Sequence, residues 1–416
     1  MTGYVLSAEQ PRINSRRWIN MKAREIRPGI YWVGAVDWDR RLFDELIPLP
    51  DGTSYNSYLI QGREKTALID AVDPSMEYAL MSRLDDLAVK QIDYLVANHA
   101  EQDHSGSIPA VLAKYPMAKV ICTPKCKELL INLLHIPEDR VTTVDDKETL
   151  SLGDTTLEFI HASWVHWPET MLTYLREEKI LFPCDLFGSH LATSDLYVAD
   201  EGRVFEAAKR YYAEIMMPFR TSIGKHLERL KGYQIELISP SHGPLYNRPE
   251  FIMEAYRKWV FDLPENIVVL PYISMHGSTR QMVEYFVEAL TNRGVTVKQF
   301  DLATVDIGKL AMALVDAATL VVGAPTTLIG PHPKVAYAVF LANALRPKAR
   351  FASIIGSYGW GSQAKEQIIN MIPNLKVELL EPVIVKGLPK EEDFKALDAL
   401  AGTIAQKHES ISKAVE

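Results

Sequence analysis

Cysteine is scarce. Three occur in 416 residues, Cys122, Cys126 and Cys184, an odd and sparse set that suits a reducing compartment better than a disulfide-stapled secreted fold. The same count excludes a four-cysteine iron or zinc module within this chain. No run of about 18 apolar residues occurs, so no membrane-spanning helix is expected. Clustered Lys and Arg are missing too. The 45 basic residues face 53 acidic ones, the formal net charge is −8, and a basic spot such as Arg16-Arg17 stops at two residues. Binding a nucleic-acid backbone needs such clusters, which sets nucleic acid aside as the main partner. The segment Met1 to Asn20 is polar, carries Pro11 and Asn14, and lacks an apolar core with a small-residue cleavage site. It reads as an extension, residues 1–22, on a cytoplasmic protein.

What is present suffices for globular cores, with 47% hydrophobic and 24% charged residues. The length suggests two or three domains. From about Ala23 to Tyr246, short β runs rich in Val, Ile, Tyr and Leu are bounded by Gly, Asp, Asn or Pro. They include Gly29–Val33, Ser57–Ile60, Thr66–Ile69, Tyr94–Ala97, Val120–Thr123, Thr156–Ile160, Met171–Leu175, Ile180–Phe182 and Ile235–Ser239. Helical patterns at Met76–Leu87, Ile108–Lys114 and Val204–Arg229 lie among them, which predicts an α+β or layered αβ/βα domain. From Asn266 the order turns regular. Strands at Ile267–Leu270, Val295–Phe300, Leu320–Gly323, Phe351–Ile355 and Val377–Val385 alternate with helices, the last beginning near Glu391. That alternation predicts a doubly wound parallel sheet, class α/β. The junction is expected at Phe261-Asp262-Leu263-Pro264-Glu265, giving domains 23–262 and 263–416.

The most informative segment is Tyr94-Leu-Val-Ala-Asn-His99-Ala-Glu101-Gln-Asp103-His104-Ser-Gly106. An apolar strand runs straight into four potential metal ligands. If the chain stays extended, alternation puts His99, Glu101 and Asp103 on one side. Ser105 is then placed to cap the helix that includes Ile108–Leu112. Four such groups at one strand end would repel each other without a cation. Three more candidates follow later strands: His166 in His-Trp-Pro-Glu-Thr-Met, Asp185 after Ile180-Leu-Phe-Pro-Cys, and His242 in Pro-Ser-His-Gly-Pro. Seven mixed N/O donors are enough for two metals sharing a carboxylate, and iron, zinc and manganese all suit them. His161, five residues before His166, competes with it, and the Trp-Pro context favours His166.

The run His-x-Glu-x-Asp-His with a distant His, Asp and His resembles the metal set of the flavodiiron proteins, or A-type flavoproteins. It is also similar to the His-x-His-x-Asp-His signature of metallo-β-lactamase-fold hydrolases, with Glu101 in place of the second His. Further markers are Trp32-Val-Gly-Ala, the His-Trp-Pro run and the Ser-His-Gly turn, and the resemblance covers roughly residues 23 to 405. It implies a metallo-β-lactamase-like domain followed by a flavodoxin-like one. It also implies two iron ions per chain: His99, Glu101 and His166 on one, Asp103, His104 and His242 on the other, and Asp185 bridging. The extra anionic oxygen from Glu101 favours di-iron redox chemistry over zinc hydrolysis. A zinc hydrolase and a non-catalytic flavin carrier remain the alternatives.

Three loops fall at carboxyl ends of strands in the second half, where doubly wound sheets bind ligands. They are Ser274-Met-His276-Gly277-Ser278-Thr279, Ala-Pro325-Thr326-Thr327 running on to Gly330, and Gly-Ser357-Tyr358-Gly359-Trp360-Gly361. Hydroxyls, backbone N–H groups and a helix start can hold a phosphate there without Lys or Arg. The loops resemble the FMN-binding loops of flavodoxin and of the flavodiiron proteins. One departure stands out: Leu328-Ile329-Gly330 occupies the place where the family often carries Asn-Asn-Gly. The resemblance further implies dioxygen or nitric oxide as substrate, giving water or nitrous oxide. It implies an external rubredoxin-like electron donor, and a head-to-tail homodimer or a dimer of dimers.

Overall fold

Period-two alternation builds the first half. In Tyr58–Gln61 the side chains of Tyr58 and Ile60 point one way and Leu59 the other. In Thr66–Ile69, Ala67 and Ile69 oppose Leu68 in the same manner. A strand buried on both faces must be covered on both. Here one face meets a second sheet and the other meets helices.

The computed structural model describes residues 21–413, so the expectation for residues 1–20 lies outside the described residues. A seven-stranded mixed sheet starts at Arg24–Arg27 and ends at Val141–Thr143. A five-stranded sheet runs from Thr149–Ser151 to Leu237–Ile238. Their facing residues, among them Trp32, Tyr58, Val96, Phe159, Met171 and Phe182, form one core. The outer face of the first sheet packs on helices Glu77–Asp86, Ile108–Lys114 and Pro124–Leu134 through Leu80, Leu84, Val111 and Leu130. This is the layered αβ/βα arrangement.

In the second half, five parallel strand positions stand in the order 2-1-3-4-5. Thr296–Asp301 is at one edge, then Glu265–Tyr272, Ala317–Thr327 and Phe351–Tyr358, with Glu378–Leu379 and Val383–Lys386 along the last flank. That is the flavodoxin-like order, whose switch point lies between the first and third strands. One apolar cluster runs from Ile160, Leu181 and Tyr212 in the first half through to Val269, Leu320 and Val322 in the second. Each fully buried Leu or Val contributes about 1.5–3 kcal/mol, so this shared core binds the halves firmly.

The seam also carries ion pairs. Arg210 donates to Asp306 Oδ1 at 3.1 Å and Oδ2 at 2.6 Å. Gly308 lets this happen: a Cβ there would run into the Arg210 guanidinium and the Glu214 carboxylate. Burial raises the Glu214 carboxyl to about 8, against the pull of Arg210.

Two expected elements are divided. The helical pattern Val204–Arg229 is an α-helix, Glu201–Tyr211, a π turn, Tyr212–Met216, a 3₁₀ turn, Met217–Phe219, and a second α-helix, Arg220–Leu230. Pro218 lacks the N–H that a continuous helix needs. The run Val377–Val385 is two short strands with Pro382 between them, for the same reason.

Candidate metal centre and flavin cleft

Four loops at one end of the two facing sheets carry the seven donors. Each follows a strand: Tyr94–Val96, Thr156–His161, Ile180–Phe182 and Leu237–Ile238. Asn98 locks the first loop. Its N–H and its amide donate to the two oxygens of Asp70, at 2.8 and 3.0 Å. Its side-chain oxygen accepts from Thr173 at 2.7 Å. Burial raises the Asp70 carboxyl to about 6, against the pull of His104 and the Asn98 hydrogen bonds.

The extended run stops earlier than alternation predicts. Gln102–Ser105 is a turn of helix that begins immediately after Glu101. Asp103 therefore does not share a strand face with His99 and Glu101. Nor does Ser105 cap the next helix: it donates to Ala100 O at 2.6 Å and Glu101 O at 2.9 Å, and Ser107 stands at that cap. The consequence is a division of the donors into two clusters.

His99, Glu101, His166 and Asp185 form one cluster, and Asp103, His104 and His242 another. In the first, Glu101 Oε2 lies 3.1 Å from His99 Nε2 and 3.2 Å from His166 Nε2. Both imidazole nitrogens are 3.5 Å from Asp185 Oδ2. In the second, Asp103 Oδ1 is 3.3 Å from His104 Nε2 and Asp103 Oδ2 is 3.2 Å from His242 Nε2. Asp185 Oδ1 sits 3.1 and 3.4 Å from those same nitrogens. Asp185 thus turns one oxygen to each cluster. Donor-to-donor separations of roughly 3.0–3.5 Å are the edges of a coordination shell with bonds of about 2.0–2.2 Å.

The electrostatics fit cations at both points. Both oxygens of Asp103, and Oδ2 of Asp185, are buried without a hydrogen-bond partner, a costly arrangement for ionised groups without a metal. Burial alone would lower the imidazoles. The surrounding carboxylates outweigh it, raising His166 to about 9 and His242 to about 10. Burial would raise the Asp185 carboxyl, yet His104 and the other imidazoles hold it well below its usual range. Carboxylates that stabilise positive charge on their neighbours this strongly would also stabilise metal ions.

Two nitrogens are oriented from behind. His242 Nδ1 lies 2.7 Å from the Ser54 carbonyl, which only accepts, so Nδ1 carries the proton and Nε2 faces the cluster. His99 Nδ1 lies 2.7 Å from Glu169 Oε1, which also accepts from the Ala100 N–H at 3.1 Å. Glu169 went unmarked in the sequence, although it stands in the His-Trp-Pro-Glu run. Glu169→Gln is expected to weaken metal retention about 10–100-fold. Iron loss to a chelator measures it, and unaltered loss would limit Glu169 to holding the loop.

His161 is outside both clusters, with Nε2 3.0 Å from Val144 O. Cys184 Sγ stands 3.8 Å from His104 Nδ1, and burial pushes its thiol well above the usual range. His190, unmarked by the sequence reading, is buried with its ring centroid 4.7 Å from that of His242. Phe43 and Tyr55 are buried and Trp38 is exposed.

At the carboxyl end of the parallel sheet, a cavity of about 210 Å³ is lined by Ser274, His276, Ser278, Thr279, Pro325, Thr326, Ser357, Tyr358 and Gly359. Met275 and Gly387, not singled out from the sequence, complete the wall. Gly277, Thr327, Gly330, Trp360 and Gly361 lie outside this lining. The helix Ser278–Thr291 opens at the cavity with Gly277 at φ +90° and no cap from that residue, while the Ser274 hydroxyl accepts from the Gly277 and Arg280 N–H groups at 3.2 Å each. No Lys or Arg lines the wall. A phosphate there would rest on hydroxyls and the helix start, as an FMN phosphate can. The departure at Leu328-Ile329 keeps the left-handed backbone that Asn favours, at φ +49° and +76°.

Known proteins resemble this chain along nearly its whole length. Residues 53–243 match a family described as "ODP family beta lactamase". The chain is 36% identical over 392 residues to a nitric oxide reductase of Moorella thermoacetica, covering 92% of this chain and 98% of that one. It is 31% identical over 396 residues to the rubredoxin-oxygen oxidoreductase of Megalodesulfovibrio gigas, covering 93% and 98%. Among solved structures, the flavodiiron protein from Giardia intestinalis superposes with a TM-score of 0.87 at 29% identity, covering 95% of this chain and 98% of that one. With relatives of this identity spanning nearly its whole length, the chain belongs to the flavodiiron protein family.

Proposed function

We propose that this chain reduces dioxygen to water, nitric oxide to nitrous oxide, or both, using FMN in the cleft of residues 263–416 and two iron ions in the domain of residues 23–262. The observation that carries the reading is Asp185, which turns one oxygen to each of two donor clusters. When bound, the flavin supplies electrons singly and the metal pair supplies neighbouring sites for a diatomic oxidant.

The chain's own groups do the rest. His99, Glu101, His166, Asp103, His104 and His242 would hold the ions, with Asp185 between them. Glu169 and the Ser54 carbonyl fix the tautomers of His99 and His242. The Tyr211 hydroxyl donates to Asp185 Oδ1 at 2.7 Å. Burial, then the Asp185 charge, holds that phenol well above its usual range, so it keeps its proton. His166 is the most open of the donors, and substrate would enter on its side.

No helix of the described residues is long and apolar enough to cross a membrane, and a cytoplasmic location suits the sparse cysteines. Electrons would come from an external rubredoxin-like donor. A head-to-tail homodimer is supported by two apolar patches that lack cover. Leu328 and Trp360, 91% and 77% exposed, flank the flavin cleft, while Leu46 and Trp164 stand near the metal centre. Leu328→Glu with Trp360→Glu is expected to convert a particle of twice 46.9 kDa into a monomer by sedimentation. A monomeric, fully active parent chain would sink the dimer.

The function itself is tested by anaerobic stopped-flow on iron-loaded, FMN-replete protein, prereduced and mixed separately with dioxygen and nitric oxide. Fast flavin reoxidation consuming several electrons per site is expected with at least one oxidant. Slow reoxidation with both, at full iron occupancy, would overturn the assignment.

A further inference from the structure

A cleft of about 540 Å³ opens at the seam of the two halves, at the amino ends of the parallel strands. One wall is the turn Met217–Thr221. The other is formed by residues 346–350, ahead of strand Phe351–Tyr358, and residues 373–376, ahead of Glu378–Leu379. The flavin cleft lies at the opposite, carboxyl ends. The eight residues of Phe351–Tyr358 separate the two ends by roughly 26 Å.

Five cations line this cleft: Arg220, Arg346, Lys348, Arg350 and Lys376. No carboxylate lines it. Among the described residues, none of the five has a carboxylate within ion-pair distance, in a chain whose net charge is −8. Lys348 is only 8% exposed, and its ammonium donates to backbone alone, Asp262 O at 3.0 Å and Lys258 O at 3.5 Å. The carboxylates with most influence on it are engaged elsewhere: Asp316 with Lys209 and Asp262 with Arg257. Four further cations line the cleft with Lys348, and the carboxylates that act on Lys348, Asp316, Asp262 and Glu265, stand outside its lining. Arg forks match phosphate oxygens two at a time, and the volume falls in the range of small-molecule sites.

We propose that this cleft binds a polyphosphate, a small molecule with two or more linked phosphates such as a nucleoside di- or triphosphate. Three arginines and a lysine at its rim offer donors enough for more than one phosphate. The flavin cleft has no Lys or Arg in its wall, and in the FMN-replete chain it is filled, so a polyphosphate would go to the seam cleft.

The test uses the iron-loaded, FMN-replete chain in calorimetric titrations with tripolyphosphate and with ATP. One saturable equivalent is expected, weakening as salt is raised. Arg350→Gln with Lys376→Gln, both exposed, is expected to weaken binding by at least about tenfold, with flavin content and melting temperature unchanged. Arg346→Gln provides a second variant should the pair fold poorly. Equal binding of both probes assigns recognition to the phosphates alone, and tighter binding of ATP assigns a nucleotide. Absence of saturable binding below about 1 mM with either probe, or binding unaltered in the variants, overturns the proposal.

Discussion

Asp185→Asn is expected to lose iron and activity together while keeping its flavin. The carboxylate is fully buried, and its oxygens stand 3.1 and 3.4 Å from one pair of imidazoles and 3.5 Å from each of the other pair. The amide has the same shape but no charge, and its NH₂ must face one cluster or the other. Breaking a buried charge pair costs about 3–5 kcal/mol, which corresponds to about 10²–10⁴-fold in metal affinity. Iron per chain should fall from two to one or fewer, and stopped-flow reduction of the preferred oxidant should slow at least in proportion to the iron lost. FMN content should hold, because the flavin cleft belongs to the other sheet. A variant with two irons and an unaltered rate would remove Asp185 from the bridging role.

The complementary loss is expected from Thr279→Val with Ser357→Val. The two hydroxyls lie 3.1 Å apart in the wall of the flavin cavity and are both buried. Replacing them together orphans neither, so the fold tolerates the change. Each hydrogen bond to a charged phosphate is worth about 1.5–3 kcal/mol, and both together about 10²–10⁴-fold in affinity. Fluorescence titration of the flavin-free protein with FMN reads this directly. Iron content should not change. Unaltered FMN affinity would mean that the phosphate rests on backbone N–H groups or lies elsewhere.

Much of this architecture was legible in the sequence because burial on both faces imposes clear local patterns. Thr66–Ile69, Ile108–Lys114, Met171–Leu175 and Ile180–Phe182 have the same bounds in sequence and structure. The four-donor run after Tyr94–Val96 was legible because charged ligands seldom follow an apolar strand so densely. Illegible features depended on partners distant in sequence or on local backbone chemistry. Glu169 gains its role from His99, 70 residues away, and no periodicity connects them. The helical turn Gln102–Ser105 separates Asp103 from Glu101, whereas strand alternation would have aligned them. Pro218 and Pro382 interrupt runs whose apolar spacing is continuous, a case where a missing N–H outweighs hydrophobic pattern.

Three consecutive residues at the end of helix Glu201–Tyr211 have a mechanical consequence. Lys209 is paired with Asp316 and Arg210 with Asp306, both in the second half, while Tyr211 holds Asp185. Successive helix positions point in different directions, so one turn grips the neighbouring domain and the Asp185 carboxylate at once. Adjoining domains ordinarily rock against each other unless a large apolar interface prevents it. Here rocking would break the shared core and pull on the Asp185 carboxylate. The two halves are therefore tied as one stiff body, and any motion between them would be felt at Asp185.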